Sequence, residues 1–345
     1  MSVEKLPRVI FLDSGGVIND NERRAPQWVY HLQEYMPQTK IGGPGAFWGR
    51  ANAILSERLF KGGDRVRLWD QLMAQSSDFE DFDRRYLLYW MQTSLQLMNE
   101  FLKEEYDLQQ QGKKTEEAQK REGQSPKLIQ LSLPATEEEQ IQIARDAHMY
   151  CTARVQADYP GAVEAILNLK FEQGFDMYTC SGESAPELEL TLRTLGISTL
   201  HAAADNATNA GADIVEADIA AARLRPVFTK LYGPDLIQCH KSSSQFYELI
   251  FKDSGVDPRD AVVVDDKEYI LAWAKIHGAR TVMISSEDRA GKELEVEVEE
   301  RVGEEGGAPR KRKVPAVDHQ LNSLAELPAL TALWKELKSQ GAKEA

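Results

Sequence analysis

Three observations on the 345-residue chain predict an α/β fold, a parallel-sheet core interrupted by an inserted all-helical domain. Residues 8–12 (Arg-Val-Ile-Phe-Leu) form a short apolar run closed by Asp-Ser-Gly-Gly, the pattern of a buried parallel strand entering a polar turn. Residues 21–157 change texture, with long amphipathic stretches rich in Leu, Glu, Gln and Arg and few β-branched runs, which favour helices. After Tyr159-Pro160-Gly161, apolar runs alternate with amphipathic segments, which implies crossover connections and a sheet covered on both faces.

Taken in order, residues 8–12 are the first core strand and residues 21–157 a helical domain whose Trp28, Trp48, Trp69 and Trp90 are expected in its core. Within that domain the polar residues 109–127 predict an exposed loop or frayed helix. Thr136-Glu-Glu-Glu139 predicts a capping box, with the Thr oxygen and the Glu carboxylate satisfying free N–H groups at a helix start. Residues 175–180, 261–264 and 281–284 are the further core strands. Residues 206–223, rich in Ala, Asn and Asp, read as an insertion without assignable structure. Residues 293–305 are strongly acidic and precede Gly306-Gly-Ala-Pro309 and the basic Arg310-Lys-Arg-Lys313, the pattern of a flexible loop or an exposed hairpin. The expected division is a discontinuous core over 1–20 and 158–345, a helical domain over 21–157, and a flexible charged insertion over 288–313.

Composition bounds the function. Hydrophobic residues make up 42% of the chain, enough for a sizeable core. Against 55 Asp and Glu stand 41 Lys and Arg, a net charge of −14, which argues against nucleic acid or an anionic membrane as partner. Cys151, Cys180 and Cys239 are widely spaced, with neither disulfide nor zinc patterning. No stretch approaches the ~20 apolar residues of a membrane span, and a cytoplasmic protein is expected. The basic run 310–313 resembles a nuclear-localisation signal, although a solvated charge run is the commoner explanation.

Open parallel sheets bind ligands beyond the carboxyl ends of their strands. There the sequence puts Asp13, Ser181, Lys241 ahead of a helix beginning near 243, and the pair Asp265-Asp266. A carboxylate nucleophile, a hydroxyl, an ammonium and an acidic metal-binding pair suit phosphoryl transfer from a small-molecule substrate, with the metal and Lys neutralising charge while Asp attacks. Adjacent carboxylates at a strand end repel one another unless a cation is near.

With these residues in this order, the sequence resembles the haloacid dehalogenase (HAD) superfamily, through FLDSGGV, YTCSG, Lys241 with its following helix, and VVVDDKEYILAWAKIHGA. The resemblance covers roughly residues 6–20, 158–197, 224–286 and 314–336, and implies a Rossmann-like core with an all-helical cap inserted between the first and second motifs. It implies Asp13 as nucleophile and metal ligand, Ser181 and Gly182 at the phosphoryl group, Lys241 neutralising Asp13 and phosphate, and Mg²⁺ held by Asp13, the Gly15 carbonyl, Asp266 and Asp265. Thr179 is set further back in its strand than Ser181.

One position departs from the family pattern. Phosphatases of the superfamily carry a second Asp two residues after the nucleophile as general acid and base, and here that residue is Gly15. General acid–base help is worth about 10²–10⁴ in rate. Asp20, Glu22 or a cap residue are the available substitutes. The expected function is a Mg²⁺-dependent phosphatase of a small phosphorylated metabolite. The alternatives are a carbon–halogen or carbon–phosphorus hydrolase, the latter needing a cap lysine such as Lys40 or Lys61, and a catalytically weak binding or regulatory protein.

Several residues carry plainer readings. Ser181 alone fits a helix cap, Lys241 a surface lysine, and Cys180 a buried small residue. His240 is read as loop packing and His277 as a helix C-terminal residue. The segment 42–49, Gly-Gly-Pro-Gly-Ala-Phe-Trp-Gly, lacks the Lys-Ser/Thr of a phosphate loop and reads as a loop that offers Phe47, Trp48 and Arg50 to a substrate.

Overall fold

A computed structural model describes residues 6–60, 68–112, 129–197, 226–285, 293–298, 310–315 and 317–341. The chain forms two compact units, Met1–Arg24 with Gln156–Ala345, and Ala25–Val155.

The first unit is built on an all-parallel sheet of six strands among the described residues: β1 (Val9–Leu12), β2 (Asp176–Cys180), β3 (Phe228–Tyr232), β4 (Ala261–Asp265), β5 (Arg280–Ile284) and β8 (His319–Leu321). Their order is β3-β2-β1-β4-β5-β8. Alternation within the apolar runs sorts side chains to two cores. Ile10, Leu12, Met177, Val262, Val264 and Val282 pack on one face, and Val9, Phe11, Ala261, Val263 and Met283 on the other. Helices cover both faces, so the strands need no polar side and read as continuous hydrophobic runs. The edge strand β3 and the short β8 were not among the expected strands, because Phe-Thr-Lys-Leu-Tyr and His-Gln-Leu carry polar residues where a sheet edge admits them.

From β1 the chain moves outward through β2 and β3, then returns to the other side of β1 for β4 and β5. The order reverses between β1 and β4, and a crevice opens beyond their carboxyl ends at such a switch point. In register Leu12 lies beside both Thr179 and Val264, so the next residues on the three strands, Asp13, Cys180 and Asp265, reach one level.

The second unit is helical: α1 (Asn21–Tyr35), which begins in the first unit, α2 (Gly45–Phe60), α3 (Leu68–Ala74), α4 (Phe79–Gly112) and α5 (Glu137–Thr152). Thr136 caps α5 by accepting the Glu139 N–H at 3.2 Å. The expected reciprocal half of the box is replaced, since the Glu139 carboxylate pairs with Lys40 at 2.5 Å. The expected loop over 42–49 is also corrected, because α2 starts at Gly45 and residues 46–49 are its first turns. Trp48 is fully buried and donates its indole N–H to the Gly42 carbonyl at 2.8 Å, Phe47 packs edge-on against Phe101, and the Arg50 guanidinium lies over the Phe101 ring at 3.9 Å. All three are used in packing this unit.

The charged stretch, read from sequence as a flexible loop or an exposed hairpin, contains an antiparallel strand pair, β6 (Glu293–Val298) and β7 (Arg310–Pro315). The backbone register sets Glu295 opposite Lys313 and Glu297 opposite Lys311. Residues 61–67, 113–128, 198–225, 286–292 and 299–309 lie outside the described residues, and with them Lys61, the insertion at 206–223 and most of the polar stretch 109–127. No described helix is long and apolar enough to cross a membrane.

In the helical unit His148 sits among Trp28, Trp90 and Tyr86, with ring centroids at 5.1, 5.1 and 5.6 Å. Its Nε2 is sealed from solvent without a hydrogen-bond partner, and burial pushes its pKa down to about 4. The unfolded chain therefore takes up a proton near the ordinary histidine range while the fold resists it, so this residue's stabilising contribution is complete above that range and declines as pH falls toward the folded value. Between about pH 7 and about pH 4 the wild type is expected to lose roughly 3 kcal/mol more than His148→Phe. Urea unfolding of both proteins across that range checks this, and a constant difference between them refutes it.

Candidate active site

Lys241 lies in the loop after β3, ahead of the helix Gln245–Ser254, which starts two residues later than expected. Its Nζ is 2.8 Å from Asp13 Oδ1 and 2.6 Å from Asp265 Oδ2, and the side chain is 8% exposed. Burial alone would strip the proton from Lys241, but the two carboxylates outweigh it and hold its pKa above the ordinary lysine value. The surface-lysine reading is thus corrected. Burial likewise pushes the Asp265 and Asp266 carboxyls above the usual aspartate range, with Lys241 and Lys267 respectively opposing the shift.

The loop after β1 is locked by its own backbone. Ser14 N–H donates to Asp13 Oδ1 at 2.8 Å, the N–H groups of Ile18 and Asn19 donate to the Ser14 carbonyl, and Gly16 N–H to the Asn19 carbonyl at 2.7 Å. The Asn19 amide also donates to Ser14 Oγ at 3.2 Å. With its N–H-bonded Oδ1 also facing Lys241, Asp13 presents Oδ2 as the oxygen these groups do not hold. Gly16 has φ +84°, and a Cβ there would overlap the Asp266 carboxylate, so glycine is required both for the turn and for the approach of Asp266.

Asp13, Asp265 and Asp266 each offer an oxygen within 4.8 Å of the others'. Three carboxylates face the one buried ammonium of Lys241, and among the described residues Asp266 Oδ1 is buried without a hydrogen-bond partner. Hard oxygen donors, excess negative charge and an orphaned carboxylate oxygen fit a divalent cation such as Mg²⁺. Gly15 lies in the turn between Asp13 and Gly16, bridged to Asn19.

Ser181 follows β2, is 2% exposed, and its N–H donates to the Tyr232 carbonyl. The cap of the next helix, Ala185–Thr194, is Ser184 with Glu187, so Ser181 is not needed as a cap. Ser181 Oγ accepts the Glu183 N–H at 3.3 Å, which leaves its O–H free to donate. Gly182 is exposed with open space around it. Thr179 is wholly buried within β2. Cys180 is buried under the Tyr247 hydroxyl, and burial pushes its thiol up to about 12, far from a thiolate nucleophile. His240 bonds Ser242 and His277 ends the helix Glu268–Ile276, so both keep their plain readings.

Sequence reasoning missed Arg24 and Glu183. They form an ion pair beside this cluster, and Asp13 is among the charges that raise the Arg24 pKa after Glu183 and Glu187, against the lowering effect of burial. Separated by more than 150 positions, they carry no motif that announces the pairing.

No protein-family model and no curated protein matches the chain. Among solved structures it is similar to the L-2-haloacid dehalogenase from Xanthobacter autotrophicus, at 14% identity over 95% of this chain and 99% of that one, TM-score 0.45. It is also similar to the putative HAD-hydrolase YfnB from Bacillus subtilis bound to magnesium, at 12% identity over 95% and 99%, TM-score 0.43. CbbY from Rhodobacter sphaeroides in complex with phosphate aligns at 15% identity over 93% and 96%, TM-score 0.43. The chain's own strand order is that of an all-parallel α/β sheet, with helices inserted after its first strand.

Two outcomes follow from this geometry. Removing the ammonium in Lys241→Met leaves buried carboxylates uncompensated and is expected to cost about 3–5 kcal/mol in urea unfolding, partly restored by millimolar Mg²⁺. In Gly16→Ala the added methyl displaces Asp266, and calorimetric titration should show Mg²⁺ affinity reduced at least about tenfold; unchanged affinity contradicts the assignment of Asp266.

Proposed function

We propose that the chain is a Mg²⁺-dependent phosphohydrolase acting on a small phosphorylated metabolite through an aspartyl intermediate on Asp13. The observation that carries this reading is the cluster at the switch point, three carboxylates around the one buried lysine, with Asp266 Oδ1 buried and unpartnered among the described residues. Asp13, Asp266, Asp265 and the Gly15 carbonyl are the groups that would hold the cation, which when bound supplies positive charge to the phosphoryl oxygens.

The protein's own groups do the rest. Lys241 and the Ser14 N–H fix Asp13 through Oδ1, so Oδ2 is oriented for attack on phosphorus. A bond forms between Asp13 Oδ2 and phosphorus, and the bond to the leaving oxygen breaks, its electron pair departing with that oxygen. Ser181 O–H and Lys241 donate to the phosphoryl oxygens, favouring the charge that develops there. Water then adds to phosphorus and releases the Asp13 carboxylate and inorganic phosphate.

Gly15 favours a second reading, cleavage of a carbon–halogen bond, because a halide leaves without a proton. The carbon–phosphorus alternative is weaker. Lys40 is 80% exposed and its Nζ is paired with Glu139, so it is not the desolvated lysine that Schiff-base chemistry favours. A catalytically weak binding protein would retain Mg²⁺ or ligand binding without turnover.

Phosphate release from p-nitrophenyl phosphate and a metabolite panel is expected to need Mg²⁺, to be lost in EDTA, and to fall at least about 10³-fold in Asp13→Asn. Halide release from 2-haloacids without metal, with no phosphate release, would transfer the assignment to the second reading.

A further inference from the structure

Resting on the phosphohydrolase reading, we infer that Arg24 is a positioning residue for that reaction: its ion pair with Glu183 holds the Ser181 hydroxyl in the orientation that donates to the phosphoryl group.

The loop after β2 is tied at both ends. Ser181 N–H donates to the Tyr232 carbonyl at 3.0 Å. At the far end, the Ala185 N–H donates to Asp235 Oδ1 at 2.9 Å, and Ser184 gives its N–H and O–H to the Glu187 carboxylate. Between these ends Gly182 is exposed with open space around it, so Glu183 is left to fix the middle of the loop. Its N–H donates to Ser181 Oγ at 3.3 Å. A hydroxyl has two lone pairs and one proton, so a donor fixed on one lone pair restricts where the O–H can point. The direction of the Ser181 O–H therefore follows the placement of the Glu183 main chain.

That placement is set from outside the loop. Arg24 Nη1 pairs with Glu183 Oε1, and the side chains are 20% and 19% exposed, buried enough that water does not fully screen the pair. Among the described residues, Glu183 Oε2 is buried without a hydrogen-bond partner. Removing one member of a largely buried pair strands the charge of the other. Arg24 is held in turn by the segment that follows the Asp13 loop, since its N–H donates to the Asp20 carbonyl at 2.9 Å and the Asp20 N–H to the Ala157 carbonyl at 2.7 Å. The pair thus joins the loop carrying Ser181 to the segment that leaves the nucleophile. Without Arg24 the Glu183 carboxylate turns out to water, and its N–H leaves Ser181 Oγ.

The test measures kcat and KM for p-nitrophenyl phosphate, with Mg²⁺ present, in wild type, Arg24→Met, Arg24→Lys, Arg24→Met with Glu183→Gln, Ser181→Ala, and Arg24→Met with Ser181→Ala. Arg24→Met is expected to lower kcat about 10–10²-fold, the cost of a misplaced donor. Arg24→Lys keeps the charge, and because the pair uses one guanidinium nitrogen it should lose less than about threefold. Adding Glu183→Gln to Arg24→Met removes the stranded charge but keeps the main-chain N–H, and is expected to recover at least about fivefold of the loss. In the Ser181→Ala background Arg24→Met should cost less than about threefold more, because the group it positions is already gone. An Arg24→Met effect of equal size with and without Ser181 overturns the inference, showing that Arg24 touches the substrate itself or supports the fold at large. So does a loss that Glu183→Gln leaves unrelieved, or Arg24→Met activity equal to wild type, and in these cases the phosphohydrolase reading stands. Absence of turnover of any phosphate by wild type removes that reading and this inference with it.

Discussion

The structure of the core turns on one buried ammonium. Lys241 binds Asp13 and Asp265 at 2.8 and 2.6 Å with almost no water around it, and it is the one side chain that makes two carboxylates at adjacent strand ends tolerable. Removing such charges from water costs several kcal/mol per ion, and their attraction offsets this only when the geometry is held. The parallel register of β1 and β4 holds it, because the residues after Leu12 and Val264 arrive at one level whatever the surrounding loops do. Asp266, which Lys267 and Lys241 oppose, lies in the same cluster, and the excess of carboxylates there is what the proposed cation would answer.

The loop after β1 translates that imbalance into chemistry. Its main-chain bonds fix Asp13 Oδ1 and expose Oδ2, while Gly16 permits both the turn and the close approach of Asp266. The same loop places Gly15 beside Asn21 and turns Asp20 into a helix cap. The groups that orient Asp13 are thus supplied by one short loop and by Lys241.

The helical unit follows a different logic. Its aromatic residues are spent on one another: Trp28, Tyr86 and Trp90 surround His148, and Phe47 and Arg50 pack on Phe101. A glycine-rich segment that looks like a ligand loop is the start of α2, with Gly45 and Gly49 there because a Cβ on either would overlap Gln33. Close packing explains the glycines without a phosphate.

The sequence by itself determined the alternation of strands and helices, the helical insertion after the first strand, and the four chemical groups at the strand ends, because hydrophobic period and turn chemistry are local properties that each segment writes into its own residues. Strands β3 and β8 escaped because edge strands have weak patterning, and the acidic and basic runs at 293–298 and 310–315 showed their meaning only when paired in register. Only the tertiary structure decided that Lys241 is shared by Asp13 and Asp265, that Arg24 answers Glu183, that Glu139 serves Lys40 in place of its own helix cap, and that Asn21 borders Gly15. Each of these is a contact between residues whose separation in sequence carries no signal, fixed by which strand ends and loops the fold brings to one place.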